Sequence, residues 1–102
     1  MRIIQTLSKM IAEEIEDAKH YAECAIKVKD DYPKVADLFD ELSNEEIKHA
    51  EKLHDAVAAL IAEYKKTNGD PPAPMQAVYN YLHEEQIKKM AEAKALQEMY
   101  EA

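Results

Sequence analysis

The chain has 102 residues, a single cysteine and a formal net charge of −8, enough length for one small domain with one core. That charge repels nucleic acid and anionic membrane surfaces and draws cations, and no apolar run approaches the ~20 residues that cross a bilayer. A lone Cys24 excludes an internal disulfide, a CxxC redox pair and a cysteine-rich metal module; with no signal peptide opening the chain, the expected location is the cytoplasm.

One glycine, four prolines and an abundance of Ala, Glu, Lys, Leu and Ile predict an all-α fold. The first helix is expected from about Ile3 to Lys29, with apolar residues Ile3, Leu7, Met10, Ile11, Ala18, Tyr21, Ala25 and Val28 at helical spacing. "DDYP" breaks it, because Pro33 disfavours helical geometry at Tyr32 yet suits the first turn of a new helix. The second helix is expected from about Pro33 to Lys66, roughly 50 Å long, with Val35, Leu38, Phe39, Leu42, Leu53, Val57, Leu60 and Tyr64 on one side. "TNGDPPAP" ends it, and a third helix follows from about Met75 to Tyr100. The chain therefore reads as one domain over 1–102: a long antiparallel hairpin (about 3–66), a stiff linker (67–74) and a shorter helix (about 75–100). Such a hairpin has too little internal surface to bury both stripes, so a second copy is expected to complete the bundle.

"NEEIKHAEKLH", Asn44 to His54, contains two Glu-x-x-His pairs, Glu46 with His49 and Glu51 with His54. Either could share one metal ion, since residues three apart project from one helix face. Helical phase separates them. With Glu46 at zero, Phe39, Leu42, Leu53, Leu60 and Tyr64 fall within about 40° and His49 at about 60°. His54 lies about 80° away and Glu51 about 140° away, on the expected solvent side. On the first helix Glu14 occupies the same position in its stripe, with Leu7, Ala18, Tyr21 and Ala25 within about 40°. Glu13 is about 100° away, and Glu16 is near the opposite face. Glu14, Glu46 and His49 are thus the candidate metal ligands, because a buried carboxylate is costly and no Lys or Arg lies on either stripe to pair with them.

One Glu followed by Glu-x-x-His on the next helix resembles half of the ligand set of ferritin-like di-iron proteins. "EEIEDAKHY" and "NEEIKHAEKL" are similar to the encapsulated ferritins, and more distantly to the rubrerythrins, over about residues 7–60. The resemblance implies a ferritin-like four-helix bundle formed by a homodimer or higher homo-oligomer. It implies two iron ions per dimer, held by Glu14, Glu46 and His49, although carboxylate with imidazole suits other divalent metals too. It gives Tyr21 the place of a tyrosine beside the site, and Glu13 and Glu16 that of an outer metal site. The implied activity is ferroxidase, oxidising Fe(II) with oxygen or peroxide in iron storage or detoxification. His20 stands where the family often has a tryptophan, and "KALQEMYEA" does not resemble the cargo peptide that directs such proteins into an encapsulin shell. The competing readings are a non-enzymatic metal-binding bundle and a helical adaptor that uses Tyr79, Tyr81, Met90, Met99 and Tyr100.

Overall fold

The computed structural model describes residues 2–102, which form three helices: α1 (Arg2–Val28), α2 (Pro33–Asn68) and α3 (Ala73–Glu101). The all-α expectation holds, and no strand occurs among the described residues. Pro33 opens α2 as its first residue, and the Tyr32 N–H reaches back to the Val28 carbonyl at 2.8 Å, closing the short turn. At the other end of α2, Gly69 takes a φ of 76°, which a side chain would resist, and its N–H caps the Lys65 carbonyl at 3.0 Å. The rod is 56 Å long and 20 by 18 Å across. No helix is long and apolar enough to cross a membrane among the described residues.

On α2 the core lies on a different flank from the expected apolar stripe, whereas on α1 it shares Ile11, Ala18 and Ala25 with that stripe. On α1 the buried positions are Ile4, Ile11, Ile15, Ala18, Ala22 and Ala25; on α2 they are Ala36, Ser43, Ile47 and Ala50. The expected stripe on α2 contains none of these four. Its members Val35 and Leu38 are exposed, as are Ile3 and Met10 on α1. Small residues let the helix backbones come together: Ala18, Ala22, Ala25, Ala36, Ser43 and Ala50 share the seam with Ile4, Ile11, Ile15 and Ile47, while Ile3, Met10, Val35 and Leu38 are turned aside. The buried flank is centred about 60° round each helix from Glu14 and Glu46. α3 covers that flank, with Ala93 against Ala18 and Ile47, and Met90 packed on both core clusters.

Ser43 ties the three helices together. Its hydroxyl donates to the Ala18 carbonyl at 2.6 Å and accepts from Gln97 Nε2 at 2.8 Å, all within the core. Gln97 is thus a buried polar residue with a partner, as burial demands. α3 is also anchored at its C-terminal end. The Tyr100 hydroxyl donates to Asp37, Asn44 donates to Glu101 at 3.2 Å, and Lys29 lies over the Tyr100 ring. The bond to Asp37, together with burial, pushes the Tyr100 hydroxyl up to about 12. The face of α3 expected for an adaptor is therefore divided: Tyr79 and Met90 pack inward and Tyr100 is engaged, while Tyr81 and Met99 remain exposed.

Beneath this anchor Asp40 has one oxygen buried without a hydrogen-bond partner. Burial, then the neighbouring Glu101 and Asp37 carboxylates, push it up to about 6. A carboxylate raised in the folded state binds more protons there than in the unfolded chain. Its ionisation therefore costs stability as pH rises from about 4 through about 6. Asp40→Asn should raise the melting temperature by a few degrees at pH 7.5, and the gain should vanish near pH 4, as read by circular dichroism melts across pH. Gln97→Ala should lower stability by about 1–3 kcal/mol in urea titrations, because it removes one bond to Ser43 and opens a small cavity.

Candidate metal centre

The Ser43–Ala18 bond sets the register of the hairpin, and the register sets the site. The two helices run antiparallel, so one turn toward the N-terminus on α1 lies opposite one turn toward the C-terminus on α2. Ile11 clusters with Ala50, and Tyr21 stacks on Phe39 with ring centroids 6.2 Å apart. Glu14, one turn before Ala18, therefore meets Glu46, three residues after Ser43.

Glu14, Glu46 and His49 each offer one donor atom, and these atoms lie within 4.8 Å of one another. His49 Nδ1 is 3.5 Å from Glu14 Oε2 and 3.8 Å from Glu46 Oε1. First-row metals hold nitrogen and oxygen donors at about 2.0–2.2 Å, which places adjacent donors roughly 3.0–3.5 Å apart. Small side-chain adjustments bring all three into range. The burial is graded: the side chains of Glu46, Glu14 and His49 are 19%, 27% and 53% exposed. His49 is thus more open than its expected place within the stripe, because α3 covers the other flank and no helix among the described residues covers this one.

One carboxylate oxygen of the cluster has no hydrogen-bond partner among the described residues. Glu14 Oε2 is buried, and at 3.5 Å the His49 ring lacks the alignment of a hydrogen bond. A buried acceptor with no donor is costly, and a cation held by the same three residues offsets that cost. The residues present therefore fit a metal ion. Which metal follows only in part from the donors: two carboxylates and an imidazole suit iron, manganese and zinc.

The other expected residues fall at graded distances from this cluster. Tyr21 is half-buried two turns along α1, its ring on Phe39. Glu13 and Glu16 are exposed on the solvent side of α1. Cys24 is half-buried, with its sulfur 3.8 Å from the His20 ring. The second Glu-x-x-His pair is split: Glu51 lies on the solvent side as expected and His54 departs from it. Glu51 is exposed and pairs with Lys94 on α3 at 3.7 Å, whereas His54 is half-buried and stacks on His83 of α3. Phase measured on the hairpin alone missed this, because α3 lies against that side of α2. His83 carried a readable signal: it follows the buried Tyr79 by one helical turn, on the same face.

A Glu on one helix and Glu-x-x-His on its antiparallel neighbour is a combination of donors that ferritin-like di-iron proteins use. The family model of rubrerythrin matches residues 5–102, and the chain belongs to the rubrerythrin family, a ferritin-like, iron-binding group. No curated protein and no solved structure matches it.

Glu14→Gln removes the unsatisfied charge but keeps the shape. The metal-free variant should melt no lower than the wild type, while the rise in melting temperature on adding anaerobic Fe(II) should fall to less than half. Paired melts with and without the metal check both halves.

Proposed function

We propose that this protein oxidises Fe(II) with oxygen or peroxide, at a di-iron centre completed when two copies meet across a two-fold axis. The observation that carries this reading is where the cluster lies. Glu14, Glu46 and His49 stand at the border between the core and a flank whose large apolar residues, Ile3, Met10, Val35 and Leu38, are exposed. A second hairpin packed on that flank would bury them and bring a second Glu, Glu-x-x-His set to the first. Together the two sets make the full ferritin-like complement of two single Glu residues and two Glu-x-x-His motifs. The 56 Å length of the rod gives the contact enough extent for a stable homodimer.

Within that site Glu14, Glu46 and His49 would hold the metal as substrate, two ions per dimer. Bound Fe(II) supplies the electrons that reduce oxygen or peroxide. The carboxylates stabilise the higher charge of Fe(III), and the single imidazole per half-site leaves positions for the oxidant. Tyr21, two turns along α1 from Glu14 and on the same helix face, is the candidate electron or hydrogen-bond donor to the site. Glu13 and Glu16, exposed on the outer side of α1, are the candidate outer site, and the charge of −8 favours the approach of Fe(II). The role would be iron storage or detoxification. The motif's likeness to encapsulated ferritins makes an encapsulin compartment the candidate shell for stored mineral, since a lone dimer encloses no volume.

Two measurements test this. Native mass spectrometry should give a dimer or a multiple of it. Oxygen or peroxide consumption on adding Fe(II) should fall to the uncatalysed rate in Glu46→Ala and His49→Ala, and should slow but persist in Tyr21→Phe. A monomer whose Glu46→Ala form oxidises Fe(II) at the wild-type rate would overturn the proposal. A dimer that binds metal yet consumes no oxidant would instead be the non-enzymatic bundle.

A further inference from the structure

α3 is held unequally along its length. Its C-terminal end is tied to the hairpin through Tyr100, Glu101 and Gln97, and it packs mainly on α1. Toward its N-terminal end α2 and α3 part, leaving a groove of about 410 Å³ with the buried Ile4 of α1 at its base. The residues explain the opening. On α2 the wall is Ala58, Ile61 and Ala62, and the two exposed alanines are too short to span the gap. Tyr79 and Asn80 of α3 form the facing wall.

The groove has two unlike ends. His54 and His83 stack across one of them, with ring centroids 5.0 Å apart. Beyond that pair a second hollow brings in the carboxylates Glu51 and Asp55. Because α3 runs antiparallel to α2, Lys65 and Gln76 stand together at the other end. Lys65 follows His54 by eleven residues, about 16 Å along the helix. Among the described residues that line the groove none is a carboxylate, although Asp and Glu supply 21 of the 102 residues. In a chain of net charge −8 that is a local departure, and Lys65 gives it a cationic end. The lining therefore suits an elongated apolar molecule with one anionic terminus. The anion belongs at Lys65, since the histidine end abuts Glu51 and Asp55. At about 30 Å³ for each water-sized group, the volume holds roughly thirteen, close to the heavy atoms of dodecanoate.

We propose that this groove binds the free monomer of a medium-chain fatty acid, its chain along Ala58, Ile61 and Ala62 and its carboxylate at Lys65. Apolar burial supplies the affinity, and the Lys65 ion pair sets the direction. His54, Ile61 and Lys65 lie about 60–100° round α2 from Glu46, on the flank that α3 covers. The groove thus stands apart from the flank proposed for a second copy, and its ligand depends on neither iron nor the dimer.

Calorimetric titration of the purified protein with ionised dodecanoate, kept below its micelle concentration, tests this. One dodecanoate should bind per chain. Dodecyltrimethylammonium, an equal chain with a cationic head, should bind about tenfold more weakly or not at all. In NMR spectra the side-chain signals of Ile61 and Tyr79 should move, while those of Ile3 and Met10 on the exposed flank should stay. Lys65→Glu should weaken dodecanoate by about five- to tenfold, since an ion pair is replaced by a repulsion. Ala58→Leu fills the wall and should weaken it by about tenfold or more. Both positions are exposed and both replacements are good helix formers, so the helices are retained, which circular dichroism checks. No binding of dodecanoate, equal binding of the two amphiphiles, wild-type affinity in either variant, or shifts at Ile3 and Met10 in place of Ile61 and Tyr79 would each overturn the proposal.

Discussion

The hydrogen bond from Ser43 to the Ala18 carbonyl is the contact on which the rest of the molecule depends. At 2.6 Å, it requires the α2 side chain to reach the α1 backbone directly. Only small residues permit that approach, and Ala18, Ala22, Ala25, Ala36 and Ala50 supply them along both helices. A hydroxyl buried at such a seam must be paired, which discourages sliding of one helix past the other. With the register fixed, Glu14 has no freedom to avoid Glu46. Two carboxylates that repel in isolation are held together by packing that does not involve them.

The same close approach explains why the site is half-open. Small residues bury little area each, so they bring helices together without using up the apolar surface. Four larger side chains, Ile3, Met10, Val35 and Leu38, are left exposed on the neighbouring flank. α3 could have covered them but is committed to the alanine side through Ala93, Met90 and Gln97. The cluster lies on the line between the two flanks. It has a dry side, where the Glu14 oxygen loses its water, and an open side, where the His49 ring is 53% exposed. An ion can enter from the open side and be held on the dry one.

Much of this was legible in the residues. The turn at "DDYP" and the break at "TNGDPPAP" are local chemistry, and α1 to α3 begin and end close to where these signals point. The convergence of Glu14, Glu46 and His49 was legible because helical phase is a property of one helix at a time. The buried flank was legible only in part: Ile11, Ala18 and Ala25 on α1 were in the expected stripe, and none of the buried residues of α2 was. Tracing large apolar residues finds the side that most needs covering, whereas the monomer buries Ala36, Ser43, Ile47 and Ala50. Which flank α3 chooses depends on backbone approach distance, and hydropathy does not encode that.

His54 shows the same limit from the other direction. Its phase relative to the hairpin stripe assigns it to solvent, correctly for a two-helix molecule. In the three-helix molecule that side of α2 faces α3, and His83 is there to meet it. The two Glu-x-x-His pairs of α2 therefore answer to different partners. Glu46 and His49 face α1 and the open flank, while Glu51 and His54 face α3, through Lys94 and His83. A repeat spaced by five residues turns about 140° around a helix. In a long helix with neighbours on two sides, that rotation is enough to aim one short pattern at two separate interfaces.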